Sequence, residues 1–161
     1  MYFMQFPDLL SDAPESPVSF HFEEVAFELP DAQLLTDWLL AVAEAEGKDF
    51  VELNYIFCSD EHLRLMNVEF LDHDYYTDVI TFPYAEDAVH GDVFISSERV
   101  ADNARSLGVP FTHELCRVLV HGALHLAGYV DKTDADERVM REREDFYLKE
   151  ISGLWAKDRA V

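Results

Sequence analysis

An α+β fold, with one mixed four-stranded sheet and about five helices packed on it, is what this sequence predicts. Three observations point there. Apolar residues recur with a period of about two in some segments and about 3.6 in others, giving the order βαβαββααα. Capping and chain-breaking residues fall at most of the joins between those segments. One helical stretch, Phe111 to Asp131, is apolar almost all the way round and belongs in the core.

Residues 1–17 carry Pro7, Pro14, Pro17 and scattered acids, and read as a weakly ordered lead-in to a single domain over 18–161. Val18 to Leu29, rich in Val and Phe, reads as an edge strand. Pro30-Asp31 opens a helix from Ala32 to Glu46 with Leu34, Leu35, Trp38, Leu39 and Val42 inward, and Gly47 ends it. Phe50 to Cys58 alternates as a good strand. Ser59 or Asp60 caps a helix to about Val68. After a polar loop, Asp78 to Tyr84 reads as a strand, His90-Gly91 as a turn, and Asp92 to Ser96 as a strand antiparallel to it. Ser97 caps a helix through Leu107, which Gly108 and Pro110 separate from the apolar helix. Thr133 and Asp136 form a capping box for a last helix, about Asp134 to Ile151, whose Arg138, Arg141, Glu142 and Asp145 make a solvated face.

The apolar helix carries the chemistry. Leu115, Cys116, Val118, Leu119, Val120, Ala123, Leu124 and Leu126 cover most of its surface, and one narrow stripe holds Glu114, Arg117, His121 and His125. Polar groups on a buried helix are costly unless something satisfies them. His121 and His125 are one turn apart on one face, the spacing by which a helix offers two nitrogens to one cation. Gly128 then stops the helix, and the returning chain brings Asp131 to the same end. Two imidazoles and a carboxylate leave room for water, as in a catalytic zinc site. The alternative is a pair of core histidines bonded to backbone carbonyls. A two-His-one-carboxylate iron site is a further possibility, set aside because such triads usually come from strands with wider spacing. In the zinc-peptidase pattern H-E-x-x-H the glutamate is the general base; here that position is Gly122, so peptidase chemistry of that kind lacks its base.

The composition is unusual in its charge. Thirty-three acids face twelve bases, a net charge of −21. A nucleic-acid-binding domain normally presents a basic surface, so the balance counts against RNA unless the cytoplasm is saline and the repulsion screened, to about 3 Å at 1 M salt. No apolar run approaches the ~20 residues of a membrane span, and MYFMQFPDLL is a poor signal peptide. Cys58 and Cys116 form no C-x-x-C motif and read as reduced, buried thiols of a cytoplasmic protein.

The run from His121 to Asp131, HGALHLAGYVD, resembles the signature H-G-x-L-H-L-x-G-Y-D-H of the YbeY family of bacterial endoribonucleases. Val130 stands where that signature has Asp, and Asp131 where it has its third histidine. Carboxylate oxygen is a competent zinc ligand, so the site survives the change with an altered metal preference. Upstream, the residues from Met66 to Pro83 are similar to the family's L-N-x-x-Y/F-R-x-x-D/E-x-x-T-D/N-V-I/L-S/T-F-P stretch, and Gly91 to Ser96 to its G-D-I-x-I-S strand. The family's arginine, held to act in RNA cleavage, is Leu71 here.

The resemblance implies a zinc-dependent, single-strand-specific endoribonuclease with one zinc per chain held by His121, His125 and Asp131. It would be cytoplasmic, bind neither membrane nor DNA, and act on ribosomal RNA and the small ribosomal subunit, in 16S 3′-end maturation and ribosome quality control. The alternative is a non-catalytic, ribosome-associated zinc module, which Leu71 and the acidic surface favour. The candidate catalytic residues are His121 and Arg117, the latter one turn earlier on the stripe and able to replace the lost arginine unless it pairs with Glu114. Thr77, Asp78 and Thr81 either begin a strand or orient metal ligands. Asp92 reads as structural, His73 as a loop residue within reach of the cleft, and His21, His62, His90 and His113 as surface or core.

Overall fold

A computed structural model of the chain describes residues 16–72 and 77–159, with side chains to residue 155. His73 and all but the last two residues of the expected N-terminal lead-in lie outside the described residues. The elements follow the predicted order: β1 (Val18–Phe22), α1 (Ala32–Ala45), β2 (Asp49–Cys58), α2 (Asp60–Leu71), β3 (Val79–Pro83), β4 (Ala88–Ser96), α3 (Ser97–Leu107), α4 (Phe111–Leu126) and α5 (Asp134–Arg159). The strands form one mixed sheet in the order β1-β2-β4-β3. β1, β2 and β4 run parallel, and β3 pairs antiparallel to β4. Both β1 and β3 are therefore edge strands, and the free edge of β3 forms part of the site.

Local chemistry sets the helix starts. The Asp31 carboxylate accepts from the Leu34 N–H at 3.1 Å and the Ser59 hydroxyl from the His62 N–H at 3.0 Å. Ser96, one residue before the predicted cap, accepts from the Arg99 N–H at 3.0 Å. Thr133 and Asp136 bond reciprocally at 3.1 and 3.2 Å, as the capping box predicted. Each such cap is worth about 1 kcal/mol.

Four boundaries differ from the sequence reading, the last helix running to Arg159 rather than Ile151. β1 ends at Phe22 because Glu24 adopts a φ of 58°, and Phe27 then turns back to pack edge-on against Phe57 and Phe111. Gly91 is not a turn residue but lies inside β4. A Cβ there would come within 2.5 Å of the Phe82 carbonyl oxygen and 2.8 Å of a Leu126 methyl, so close approach, rather than a turn, requires the glycine. α2 continues to Leu71, one turn beyond the prediction, and stops at Asp72 in the left-handed region with φ 56°.

α4 lies on the sheet as the most enclosed helix, with its apolar residues buried against β3, β4, α1, α3 and α5. The Tyr55 hydroxyl donates to the Leu119 carbonyl at 2.6 Å, and the Trp38 indole donates to the Tyr147 carbonyl at 3.1 Å, tying α1 to α5. Gly122 lets the helix seat closely on β4: a Cβ would sit 2.9 Å from a Val93 methyl. A side chain at that position would point into the sheet, so the base of the peptidase pattern has no place here. Gly122→Ala is expected to push α4 off β4 and to cost about 1–3 kcal/mol in denaturant unfolding; unchanged stability would contradict the tight seat. Cys58 and Cys116 are free and buried, and burial pushes both thiols up to about 12. No described helix is long and apolar enough to cross a membrane.

Candidate metal centre

His121 and His125 project from the last two turns of α4, with ring centroids 4.6 Å apart and planes at 85°. The helix ends in a Schellman motif: the Gly128 N–H donates to the His125 carbonyl and the Tyr129 N–H to the Leu124 carbonyl, both at 3.0 Å. Gly128 takes the required positive φ, 112°. That reversal returns Asp131 over the two rings. Its Oδ2 lies 3.6 Å from His121 Nε2 and 3.3 Å from His125 Nε2. One donor atom from each residue falls within 4.8 Å of the others. Tetrahedral donors about 2.1 Å from a zinc ion lie roughly 3.4 Å apart, so the three fit one cation and leave a fourth position open.

The far ring nitrogens are held as well. The Tyr129 carbonyl is 3.0 Å from His125 Nδ1, and a carbonyl only accepts, so Nδ1 carries the proton and Nε2 turns its lone pair to the site. His121 Nδ1 lies 2.7 Å from Glu144 Oε2, a carboxylate–imidazole pair of the kind that orients metal ligands. Burial lowers the His121 pKa, but the Glu144 hydrogen bond and charge, with Asp78 and Asp131, outweigh it and leave it raised. Burial and the neighbouring His121 lower that of His125.

Glu144 is 3% exposed, and the sequence reading missed it. It lies on α5 in line with Met140, Tyr147, Leu148 and Ile151, all buried, so a carboxylate within an apolar stripe was its signal. Arg117 stands between two buried carboxylates, with Nε 2.9 Å from Glu114 Oε1 and one terminal nitrogen 3.1 Å from Glu144 Oε1. Burial opposes its charge, but Glu114 and Glu144 more than compensate and raise its pKa. The polar stripe of α4 thus continues onto α5 as a chain from Glu114 through Arg117 and Glu144 to His121.

A second anchor holds the loop between His125 and Asp131. Glu46, the cap residue of α1, accepts from the Tyr129 hydroxyl at 2.7 Å, from Arg143 at 2.9 Å and from the Tyr147 hydroxyl. Tyr129 therefore links its own carbonyl, which sets His125, to a distant helix end.

The donors open on a cleft of about 950 Å³ bounded by the end of α2, the free edge of β3 and the loop after α4. Thr77, Asp78 and Thr81 line it. The Thr77 hydroxyl donates to the Val79 carbonyl at 3.4 Å, and the Asp78 carbonyl accepts from the Ser96 N–H at 3.0 Å, contacts that start β3. Leu71 lies on the same cleft. Arg117 and Arg141 line a separate recess of about 440 Å³ that shares His121 and Asp131. Asp92 lies apart: it accepts from Asn54 at 3.0 Å and from the Tyr84 hydroxyl at 2.5 Å, a structural link across strands.

A buried helix that offers two oriented imidazoles beside a returning carboxylate defines a candidate mononuclear metal centre of the open type. The sequence profile of the family described as Endoribonuclease YbeY matches residues 19–152, and this chain belongs to that family. Endoribonuclease YbeY of Flavobacterium johnsoniae is 50% identical over 129 residues, which cover 80% of this chain and 92% of that protein. Endoribonuclease YbeY of Amoebophilus asiaticus is 43% identical over 137 residues, covering 84% and 93%. The solution structure of TM1509 from Thermotoga maritima matches with a TM-score of 0.63 at 30% identity, over 88% of this chain and 93% of that one.

Proposed function

We propose that this chain is a zinc-dependent endoribonuclease that cuts single-stranded RNA. On this reading it acts in the cytoplasm on ribosomal RNA at the small subunit, in 16S 3′-end maturation and ribosome quality control. The observation that carries the reading is the open set of three donors facing a wide cleft, in a chain whose relatives are named endoribonucleases. His121, His125 and Asp131 would hold a divalent cation, which would supply Lewis acidity toward a phosphoryl oxygen and a water. The protein does the rest. Glu144 and the Tyr129 carbonyl fix the two rings, Arg117 holds Glu144, and the Schellman turn sets the reach of Asp131.

Two features favour a second reading, a non-catalytic zinc module on the ribosome. Leu71 occupies the cleft position where the family signature has arginine, and the Arg117 guanidinium is bonded to Glu114 and Glu144. Incubating the zinc-loaded protein with single-stranded and duplex fragments of the 16S 3′ end separates the two. Metal-dependent cutting of the single strand alone is the expected result. Absence of cutting by the wild type at every KCl concentration, with cutting by Leu71→Arg, would establish the second reading.

The charge of −21 bears on the conditions. If it matches a saline cytoplasm, the melting temperature rises substantially as KCl approaches molar levels, because screening removes self-repulsion. A flat or falling melting temperature contradicts that account.

A further inference from the structure

The walls of the cleft are poor in positive charge. Among the described residues three carboxylates line it, those of Asp78, Glu86 and Asp131, against one ammonium, Lys132. A divalent cation at the donors brings that balance to neutrality and leaves nothing for the phosphates on either side of the bond being cut. Arg117 and Arg141 line the recess and not this cleft. The uncharged wall carries Asn67, Thr77 and Thr81 beside the donors, and an apolar part made by Leu71, Val79, Pro83, Leu126 and Val130. Leu71 is 43% exposed and Val130 46%; Phe70, the preceding residue on α2, is 59% exposed and meets the Phe82 ring edge-on at 6.0 Å. Leu71 and Val130 are open apolar side chains on a molecule whose net charge is −21.

We infer that the cleft holds single-stranded RNA by its unpaired bases, packed on an apolar wall headed by Leu71, and not by its phosphates. This rests on the endoribonuclease reading and adds the mode of recognition. Base packing is tolerant of sequence and requires splayed nucleotides. A duplex keeps its bases stacked inside and offers only backbone, which this cleft has no charge to hold. Leucine in place of arginine then exchanges one kind of grip for another.

The sign of the salt dependence discriminates. A protein that neutralises phosphates loses affinity as salt rises, with a slope of about −0.7 per phosphate on single strands. A cleft that binds bases in a strongly acidic protein does the opposite, because salt screens the repulsion between protein and RNA while base packing is unaffected. The test titrates zinc-loaded protein on ice with a fluorescein-labelled oligouridylate, checked on gels for integrity, across the KCl range in which the circular dichroism is constant. Affinity is expected to rise with KCl to a plateau, and a duplex of equal length to bind at least about tenfold more weakly. Leu71→Ala is expected to weaken binding roughly five- to tenfold, and Leu71→Met to stay within about twofold of wild type. Leu71→Arg should bind more tightly at low salt and acquire a falling salt dependence.

Affinity of the wild type that falls steeply with KCl, or Leu71→Ala binding like wild type, overturns the inference. If such a protein still cuts single-stranded RNA, the proposed activity stands without it. Binding with the expected signs but no cutting leaves the inference standing and removes the nuclease. Absence of binding at any KCl concentration overturns both.

Discussion

Alanine in place of His121, His125 or Asp131 is expected to lower zinc affinity by at least about a hundredfold, beyond the 10–100-fold typical of losing an outer partner. The three donors are all the described His, Cys, Asp or Glu residues that converge closely enough to hold one ion. Removing any one leaves two, too few for a protein site of this type. Metal content of the purified variants, measured by elemental analysis after gel filtration, checks this. Full retention in all three would remove the site. Asp131→His is expected to keep or tighten binding, since it restores the histidine that the family signature carries there. The folded state is not the obstacle, because Asp131 sits on a loop and is the most exposed of the three ligands.

Arg117→Ala is expected to cost about 3–5 kcal/mol of stability, the range for breaking a buried ion pair and leaving its partners uncompensated. Glu114 and Glu144 would both lose their shared cation, and both are buried. If Arg117 only positions Glu144, the variant keeps its cleavage rate per folded molecule at saturating zinc. If instead it contacts the phosphate, the rate collapses while stability and zinc content hold. Denaturant unfolding, zinc content and the cleavage rate, measured together, separate the two roles. The geometry favours the first, since both bonded nitrogens of Arg117 are committed to carboxylates. Glu144→Gln complements the test by keeping the shape and removing the charge that faces His121 Nδ1. It is expected to weaken zinc binding about 10–100-fold.

What the sequence made legible was local. The change of hydrophobic period located every strand and helix of the described chain, and Asp31, Ser59 and the Thr133–Asp136 pair marked helix starts, because each cap bonds within three residues. His121, His125 and Asp131 were readable for the same reason: one helix turn and one glycine stop bring them together. The end of β1 was hidden, because Val–Phe richness is shared by a strand and by a loop whose Phe27 folds back on the core. Gly91 looked like a turn because its need for glycine comes from Phe82 and Leu126, distant in sequence. Glu46 was invisible as a site residue for a related cause, and Glu144 showed only as a carboxylate within the apolar stripe of α5. They act through partners 83 and 23 residues away, and packing of α1 and α5 around α4 gives them their roles.

The central claim, that two imidazoles and one carboxylate hold a single zinc with a position left open, is tested most directly by zinc K-edge X-ray absorption of the loaded protein. The expected spectrum has only nitrogen and oxygen neighbours at about 2.0–2.2 Å, with outer-shell scattering from two imidazole rings. Sulfur at about 2.3 Å, which would bring in Cys58 or Cys116, or scattering from one imidazole alone, would contradict it.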